Sequence, residues 1–414
     1  MRCSIPSLLL AVVGLLIGGS TPLLGSSPPI AVSSSVESAD LLESTLRVLR
    51  DRIPDLRFNR EQLESVRGRF AAAGSRAERR EVVRRFLDRI PTSHLALFSS
   101  YAKFTFEREL AGELSTTLGL TLIESGGTYY VSSVLRGTPA SEAGIVRGDR
   151  VISIDGDSPA LSPRLDARHD DSAPPDEASH LVRVRWGDRV PIVIARGGAG
   201  PRTTLEMTLP AVRASSLRSD QLGVRLETRR GVQVGVIPLS YVYSRATSRH
   251  VSDALRGPLA RADAIVLDLR GRGGSGIALL SLTRLLMNPI ALGDRPLVAA
   301  IDRRTRSAKE VLAQSMRRRQ LGTLVGEKTP GAVRGSQWVE LGSGEWLLCP
   351  HGPIGVDPRG LEGIGVAPDL WVDDPFPNGD GADPILSAAI DEAARQVLDG
   401  ASRTTTGRGS RPPR

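Results

Sequence analysis

The sequence predicts a multidomain protein that joins α+β and α/β parts: a helical N-terminal segment, a small strand-rich domain, then a larger domain of alternating strands and helices. Three observations carry that prediction. Over residues 40–112 the apolar positions recur at helical spacing. Over 113–213 they shorten to strand-length runs bounded by Gly, Pro and Asp. Over 217–400 continuous apolar runs alternate with amphipathic stretches. A chain of 414 residues has room for several such domains.

Composition narrows the class. Apolar residues at 40% and charged residues at 24% exclude a polytopic membrane protein and a wholly disordered chain. Of the 54 basic residues only Lys103, Lys309 and Lys328 are lysine. The net charge is +8, but Ala401–Arg414 contributes four Arg and no acid. A basic tail on a nearly balanced body gives no reason to expect a nucleic-acid partner.

Residues 1–26 open with Met-Arg-Cys, continue with an apolar run of about 14 residues and leave through small residues, the pattern of a secretory signal. The run is shorter than the roughly 20 residues of a spanning helix, although Leu23 and Leu24 leave an uncleaved anchor as the alternative. Export to a bacterial periplasm or cell envelope is expected, with contact to membrane only through that segment. Residues 27–39 are a Ser- and Pro-rich linker. Once Cys3 is removed only Cys349 remains, which excludes an internal disulfide and a Cys-based zinc site.

In the first block, 40–112, Leu41–Leu49 and Ala77–Ile90 read as helices, with Val82, Val83, Phe86, Leu87 and Ile90 on one stripe. The second block, 113–213, has strands at Thr128–Val134, Arg150–Ile154, Val190–Ala195 and Thr203–Leu209. Between the first two lies Gly137-Thr-Pro-Ala-Ser-Glu-Ala-Gly-Ile-Val-Arg-Gly-Asp-Arg-Val-Ile-Ser-Ile-Asp-Gly156. A turn, one helical turn over Ala140–Ala143 ended by Gly144, and a strand with Ile152 and Ile154 facing inward are expected there. Leu161–Glu177 reads as a polar surface insertion. The Gly137–Gly156 run resembles the core of a PDZ domain of the bacterial protease type. The resemblance implies a sheet edge that accepts a peptide strand and a loop that holds its carboxylate. That loop is Leu118, Gly119 and Leu120, with Gly119 allowing close backbone approach. A PDZ fold that packs on its neighbour and binds no tail is the alternative.

The third block, 217–400, has strands at Gly231–Pro238, Ala264–Leu269, Leu297–Ile301 and Leu324–Gly326. Helices are expected at Ser281–Met287, Ala308–Arg318 and Pro384–Leu398, with a disordered tail over 401–414. Its chemistry centres on two segments. Gly271, Gly273 and Gly276 follow a buried strand and fit either a dinucleotide fingerprint or an oxyanion loop. Ser307, with Glu310 three residues on, fits a capping box. It also fits a nucleophile at a helix N-terminus.

The order of these blocks resembles the C-terminal processing (tail-specific) peptidases and the related tricorn-type serine peptidases. Asp268-Leu-Arg-Gly-Arg-Gly-Gly is similar to their Asp-Leu-Arg…Gly-Gly loop, and Ser307-Ala-Lys-Glu to their nucleophile motif. Gly326-Glu-Lys-Thr-Pro-Gly and Gly360-Leu-Glu-Gly-Ile-Gly-Val-Ala-Pro-Asp369 are similar to their two later motifs. The resemblance implies a ClpP/crotonase-like α/β protease domain and Ser307 as nucleophile. The Ala308 N–H with Gly273 and Gly274 would form the oxyanion site, and Glu362 would orient or polarise a base. It implies no metal and no organic cofactor.

One position departs from the pattern. The dyad lysine of the processing peptidases follows the last Gly of Gly-Glu-x-Thr-x-Gly, and Ala332 stands there. The histidine of the tricorn-type relatives falls on Val236. His94 is the base candidate, and His351 a second. His169, His180 and His250 read as loop or surface residues, and neither Lys328 nor Lys309 is placed to serve. The expected activity is an exported serine endopeptidase that cleaves unfolded or C-terminally recognised proteins, its PDZ block binding their exposed C-terminal segments. The alternative, motivated by Ala332, is a catalytically inactive pseudoprotease that binds peptides.

Overall fold

A computed structural model describes residues 41–53, 56–168, 178–197, 202–242, 244–271, 273–342, 344–350, 360–377 and 381–406. The expected signal, the linker, His169 and His351 lie outside these residues.

The first block holds α1 (Leu41–Arg52), α2 (Arg60–Ala72), α3 (Arg76–Leu87), β1 (Ala96–Ser99) and α4 (Ser100–Ala111). Asn59 with Gln62, and Ser75 with Glu78, form the capping boxes that start α2 and α3. Leu46, Leu49, Val66, Phe70, Val83 and Phe86 meet in one core. Sequence periodicity misses α2 and α4, whose apolar stripes are thin.

The second block holds β2 (Ser115–Thr117), β3 (Leu120–Ser125), β4 (Thr128–Val134), α5 (Pro139–Glu142), β5 (Arg150–Ile154), β6 (Leu165–Arg168), β7 (Ala178–Val182), β8 (Arg189–Arg196), β9 (Thr203–Pro210) and β10 (Val212–Ala214). Seven of these strands form one sheet in the order β6-β7-β3-β4-β5-β8-β9, and β2 pairs with β10. Two expectations are corrected. Ile152 is 39% exposed, because a register shift between Val151 and Ser153 turns Val151 inward in its place, while Ile154 is buried. The segment read as a surface insertion supplies β6, paired antiparallel with β7.

The third block holds α6 (Ser216–Gly223), β11 (Arg225–Arg229), β12 (Val232–Pro238), α7 (Arg245–Arg256), β13 (Ala264–Asp268), α8 (Gly276–Leu286), α9 (Pro289–Leu292), β14 (Leu297–Ile301), α10 (Ala308–Arg318), β15 (Thr323–Gly326), β16 (Ser336–Gly342), β17 (Glu345–Pro350), β18 (Leu370–Trp371) and α11 (Pro384–Thr406). Its sheet runs β11-β12-β13-β14-β15-β18, antiparallel only at β11–β12. One face packs on α7, α8 and α10, the other on α11. Cover on both faces explains why its strands read as unbroken runs of Val, Ile, Leu and Ala. Helix α11 continues to Thr406, six residues into the expected tail.

A second sheet is not visible in the sequence pattern. Strand β1 of the helical block pairs with β17, which pairs with β16, although β1 lies some 250 residues away in sequence. Buried Glu345 on β17 accepts from Arg76 and Arg80 of α3 at 2.8 and 2.9 Å. The helical block is thereby fastened beside the third block.

Candidate active site

Parallel strands end on the same side of their sheet, and ligand sites in such sheets lie at those carboxyl ends. Here β12, β13, β14 and β15 deliver four loops to one edge: 239–242, 269–275, 302–307 and 327–332. The glycine loop and Ser307 both fall among them.

Ser307 sits between the 302–306 turn and α10. Asp302 shapes that turn, its Oδ1 accepting from the N–H groups of Arg304 and Gly271 at 3.0 and 3.2 Å. Ser307 itself has φ 55 and ψ −126, a conformation that L-residues avoid. Such strain costs about 1–3 kcal/mol and persists only where surrounding structure enforces it. Two bonds enforce it here. The Ser307 N–H donates to Ala332 O at 2.8 Å and to Glu310 Oε2 at 3.2 Å.

Gly273 lies directly against this serine. A Cβ on Gly273 would stand 2.8 Å from Ser307 Cβ, so only glycine fits. Gly274 packs closer still, since a Cβ there would stand 1.9 Å from Val242 O, which also accepts from Ser275 N–H at 2.8 Å, while Val242 N–H donates to Gly273 O. This fastening leaves the loop closed on the 239–242 segment, which disfavours an open pyrophosphate cradle. Arg270 braces its start, bridging Asp268 and Asp383 with bonds of 2.6–2.8 Å. Burial works against the Asp268 carboxylate, yet the Arg270 guanidinium holds its pKa below the usual range.

Glu310 does more than cap. Fully buried, it accepts from Thr329 Oγ1 and Gly331 N–H at 2.6 Å on Oε1, and from Ala332 N–H at 2.7 Å on Oε2. Burial pushes its carboxyl pKa up against the pull of those donors. The carboxylate thus clamps the 329–332 loop onto the first turn of α10. Ala332 is 5% exposed, and its backbone is held at both ends, by Ser307 and by Glu310.

Lys309 points away from the serine into the interior. Its Nζ donates to Ser240 O at 2.9 Å and Arg270 O at 3.1 Å. Ser240 also donates its N–H and hydroxyl to Asp220 of α6 at 2.9 and 2.6 Å. Burial raises the Asp220 carboxyl to about 7. Lys328 is exposed.

The β1–β17–β16 sheet carries the end of the helical block to this edge. Glu362 joins the two: Oε1 accepts Ser93 N–H at 3.1 Å, and Oε2 accepts Val333 N–H at 2.9 Å. Half-buried His94 follows, with φ 59 and Nδ1 3.0 Å from Ser93 Oγ. Arg334 reaches Thr92 Oγ1 at 2.8 Å. Ser307 and Glu362 therefore both bond the 331–334 loop, Ser93 touches it through Arg334 N–H with His94 next in sequence, and Ala308 and the Gly273–Gly274 pair lie beside the serine.

Leu118, Gly119 and Leu120 lie in the second block, apart from this cluster. Gly119 has φ 92, and its Cα presses on Thr138, so the glycine is required there. Its N–H is taken by Thr117 Oγ1 at 2.9 Å. The edge of β3 that a peptide would use is paired with β7. His180 and His250, expected at the surface, are buried at 6% and 5% exposure. Sequence reasoning missed Asp220, the carbonyl contacts of Lys309 and the loop-clamping role of Glu310, because only the Ser-x-x-Glu spacing is local.

The model of peptidase family S41 matches residues 287–372. A carboxyl-terminal-processing protease of Synechocystis is 26% identical over 388 residues, covering 87% of this chain and 86% of that protein. The chloroplastic C-terminal processing peptidase of Tetradesmus obliquus is 24% identical over 340 residues, covering 72% and 68%. Among solved structures, the photosystem II D1 C-terminal processing protease is 21% identical, with a TM-score of 0.49, covering 86% of this chain and 99% of that one. Over most of its length the chain is thus similar to carboxyl-terminal-processing proteases, and residues 287–372 match peptidase family S41.

Proposed function

We propose that this protein is an exported serine endopeptidase that cleaves unfolded proteins or proteins selected by their C-terminal segments. Ser307 Oγ attacks the scissile carbonyl. The Ala308 N–H at the start of α10 and the Gly273–Gly274 backbone stabilise the oxyanion, aided by the helix dipole. His94 takes the serine proton and returns it to the leaving amine, and water then releases the acyl group from Ser307. Glu362 acts through position, holding the 92–94 and 331–334 loops together.

The observation that carries this reading is the strained Ser307 turn pressed against Gly273. A helix cap alone needs neither the positive φ nor the close glycine. The PDZ-type reading of the second block assigns it to tail recognition. The test is cleavage of an unfolded protein by the mature chain, by Ser307→Ala and by His94→Ala. Cleavage by the wild type alone supports the mechanism as drawn.

Ala332, buried where the dyad lysine of the processing peptidases would stand, favours a second reading. In it the protein is a catalytically inactive peptide-binding module. Equal background cleavage by wild type and Ser307→Ala, with tail binding retained, supports that reading.

A further inference from the structure

We propose that β7 is a ligand in cis for the edge of β3, and that C-terminal peptides ending in two aliphatic residues compete with it for that slot. The inference rests on the tail-binding reading of the second block.

Direction comes first. Strand β7 is antiparallel to β3, with Ala178 opposite Glu124, Ser179 opposite Ile123 and His180 opposite Leu122. Its C-terminal end, Leu181-Val182, therefore runs toward the start of β3 and the Leu118–Leu120 loop. A tail peptide adding antiparallel to β3 would run in the same sense and end at the same loop.

Side chains come second. Leu181 and Val182 are each 7% exposed. With Leu118, Leu120, Tyr101 and Thr105 they bound a cavity of about 10 Å³, the room of about one water. The space at the end of the slot, also lined by Glu109, Ser115, Thr116 and Thr117, is thus filled from within.

The fit is imperfect where a true tail would do better. The chain does not end at Val182, so no carboxylate reaches the Gly119 N–H, which turns to Thr117 Oγ1 instead. His180 Nε2 is buried without a hydrogen-bond partner among the described residues and stands 3.7 Å from Glu124 Oε2. What fastens β7 lies on its other side. Asp166 of β6 accepts from Arg183 at 2.9 and 3.0 Å and from Ser99 Oγ of the helical block at 2.7 Å. A free tail gains the carboxylate contact but must displace β7. Its apparent affinity is lowered by the fraction of molecules in which the slot is open.

The experiment uses the full chain with Ser307→Ala and a fluorescein-labelled Ala-Ser-His-Leu-Val peptide bearing a free carboxylate, read by anisotropy. Asp166→Ala and His180→Pro loosen β7 by different routes. Glu124→Cys with Ala178→Cys, in a Cys3→Ser background, staples it when oxidised. Release of β7 is followed by hydrogen exchange over 178–182. Either loosening variant is expected to bind at least about tenfold tighter than the parent. The staple is expected to abolish binding until it is reduced, and the amidated peptide to bind weakly throughout. Equal binding by stapled and loosened chains overturns the cis-ligand inference and leaves tail binding standing elsewhere. No binding by chains whose 178–182 amides exchange freely overturns the tail-binding reading itself, and this inference with it.

Discussion

Replacing Glu310 with alanine removes the acceptor of four donors: Thr329 Oγ1, Gly331 N–H, Ala332 N–H and Ser307 N–H. A buried donor left without a partner costs about 1–3 kcal/mol. Three of these contacts are 2.6–2.7 Å long and buried, while the Ser307 N–H keeps Ala332 O. The loss is offset in part because the variant no longer buries a carboxylate whose pKa burial already raises. The expected net destabilisation is about 3–4 kcal/mol. Glu310→Gln keeps an acceptor for one pair of donors but sets its own amide hydrogens against the other pair, so about half that cost is expected. Urea unfolding of both variants in a Ser307→Ala background, which removes self-cleavage, reads the two values. A Glu310→Ala chain within about 0.5 kcal/mol of its parent would refute the clamp.

Three further outcomes follow from other residues. Ser307→Gly should abolish turnover while stabilising the fold by about 1 kcal/mol, because glycine relieves the positive φ that serine endures; a destabilised variant by thermal unfolding would contradict the strain. Asp220 has its folded pKa raised to about 7, so the folded protein holds a proton that the unfolded chain gives up near pH 4. Stability should therefore fall as pH rises through that window, by up to about 1.4 kcal/mol per unit, and the slope should vanish in Asp220→Asn when urea midpoints are compared. Burial pushes the Cys349 thiol up to about 11, so iodoacetamide at pH 8 should leave it unmodified in the native chain and alkylate it in urea, as mass spectrometry would show.

The parallel core was legible because its strands are buried on both faces: Ala264–Leu267 and Leu297–Ile301 are continuous apolar runs. Helix α10 was legible from its stripe and from the Ser307–Glu310 spacing. The β1–β17–β16 sheet was not, because Ala96–Ser99 is too short to signal a strand and its partner lies far along the chain. That sheet is what brings Ser93, the neighbour of His94, to Glu362, a contact that motif order alone does not reveal. Strand β7 gives no strand signal in the sequence because Ser179 and His180 are polar, yet both are buried in the sheet. Ile152 shows the limit of alternation: one bulge reverses which residues face the core. Glu310 was legible only as a cap, since its other donors come from a loop about twenty residues on.

The most direct test of the central claim is the reaction of the mature chain with a fluorophosphonate, followed by peptide mapping. If Ser307 is an activated nucleophile, one phosphonyl adduct forms on Ser307, is absent in Ser307→Ala, and forms more slowly in His94→Ala. A native, folded chain that gains no adduct at Ser307 would contradict the account.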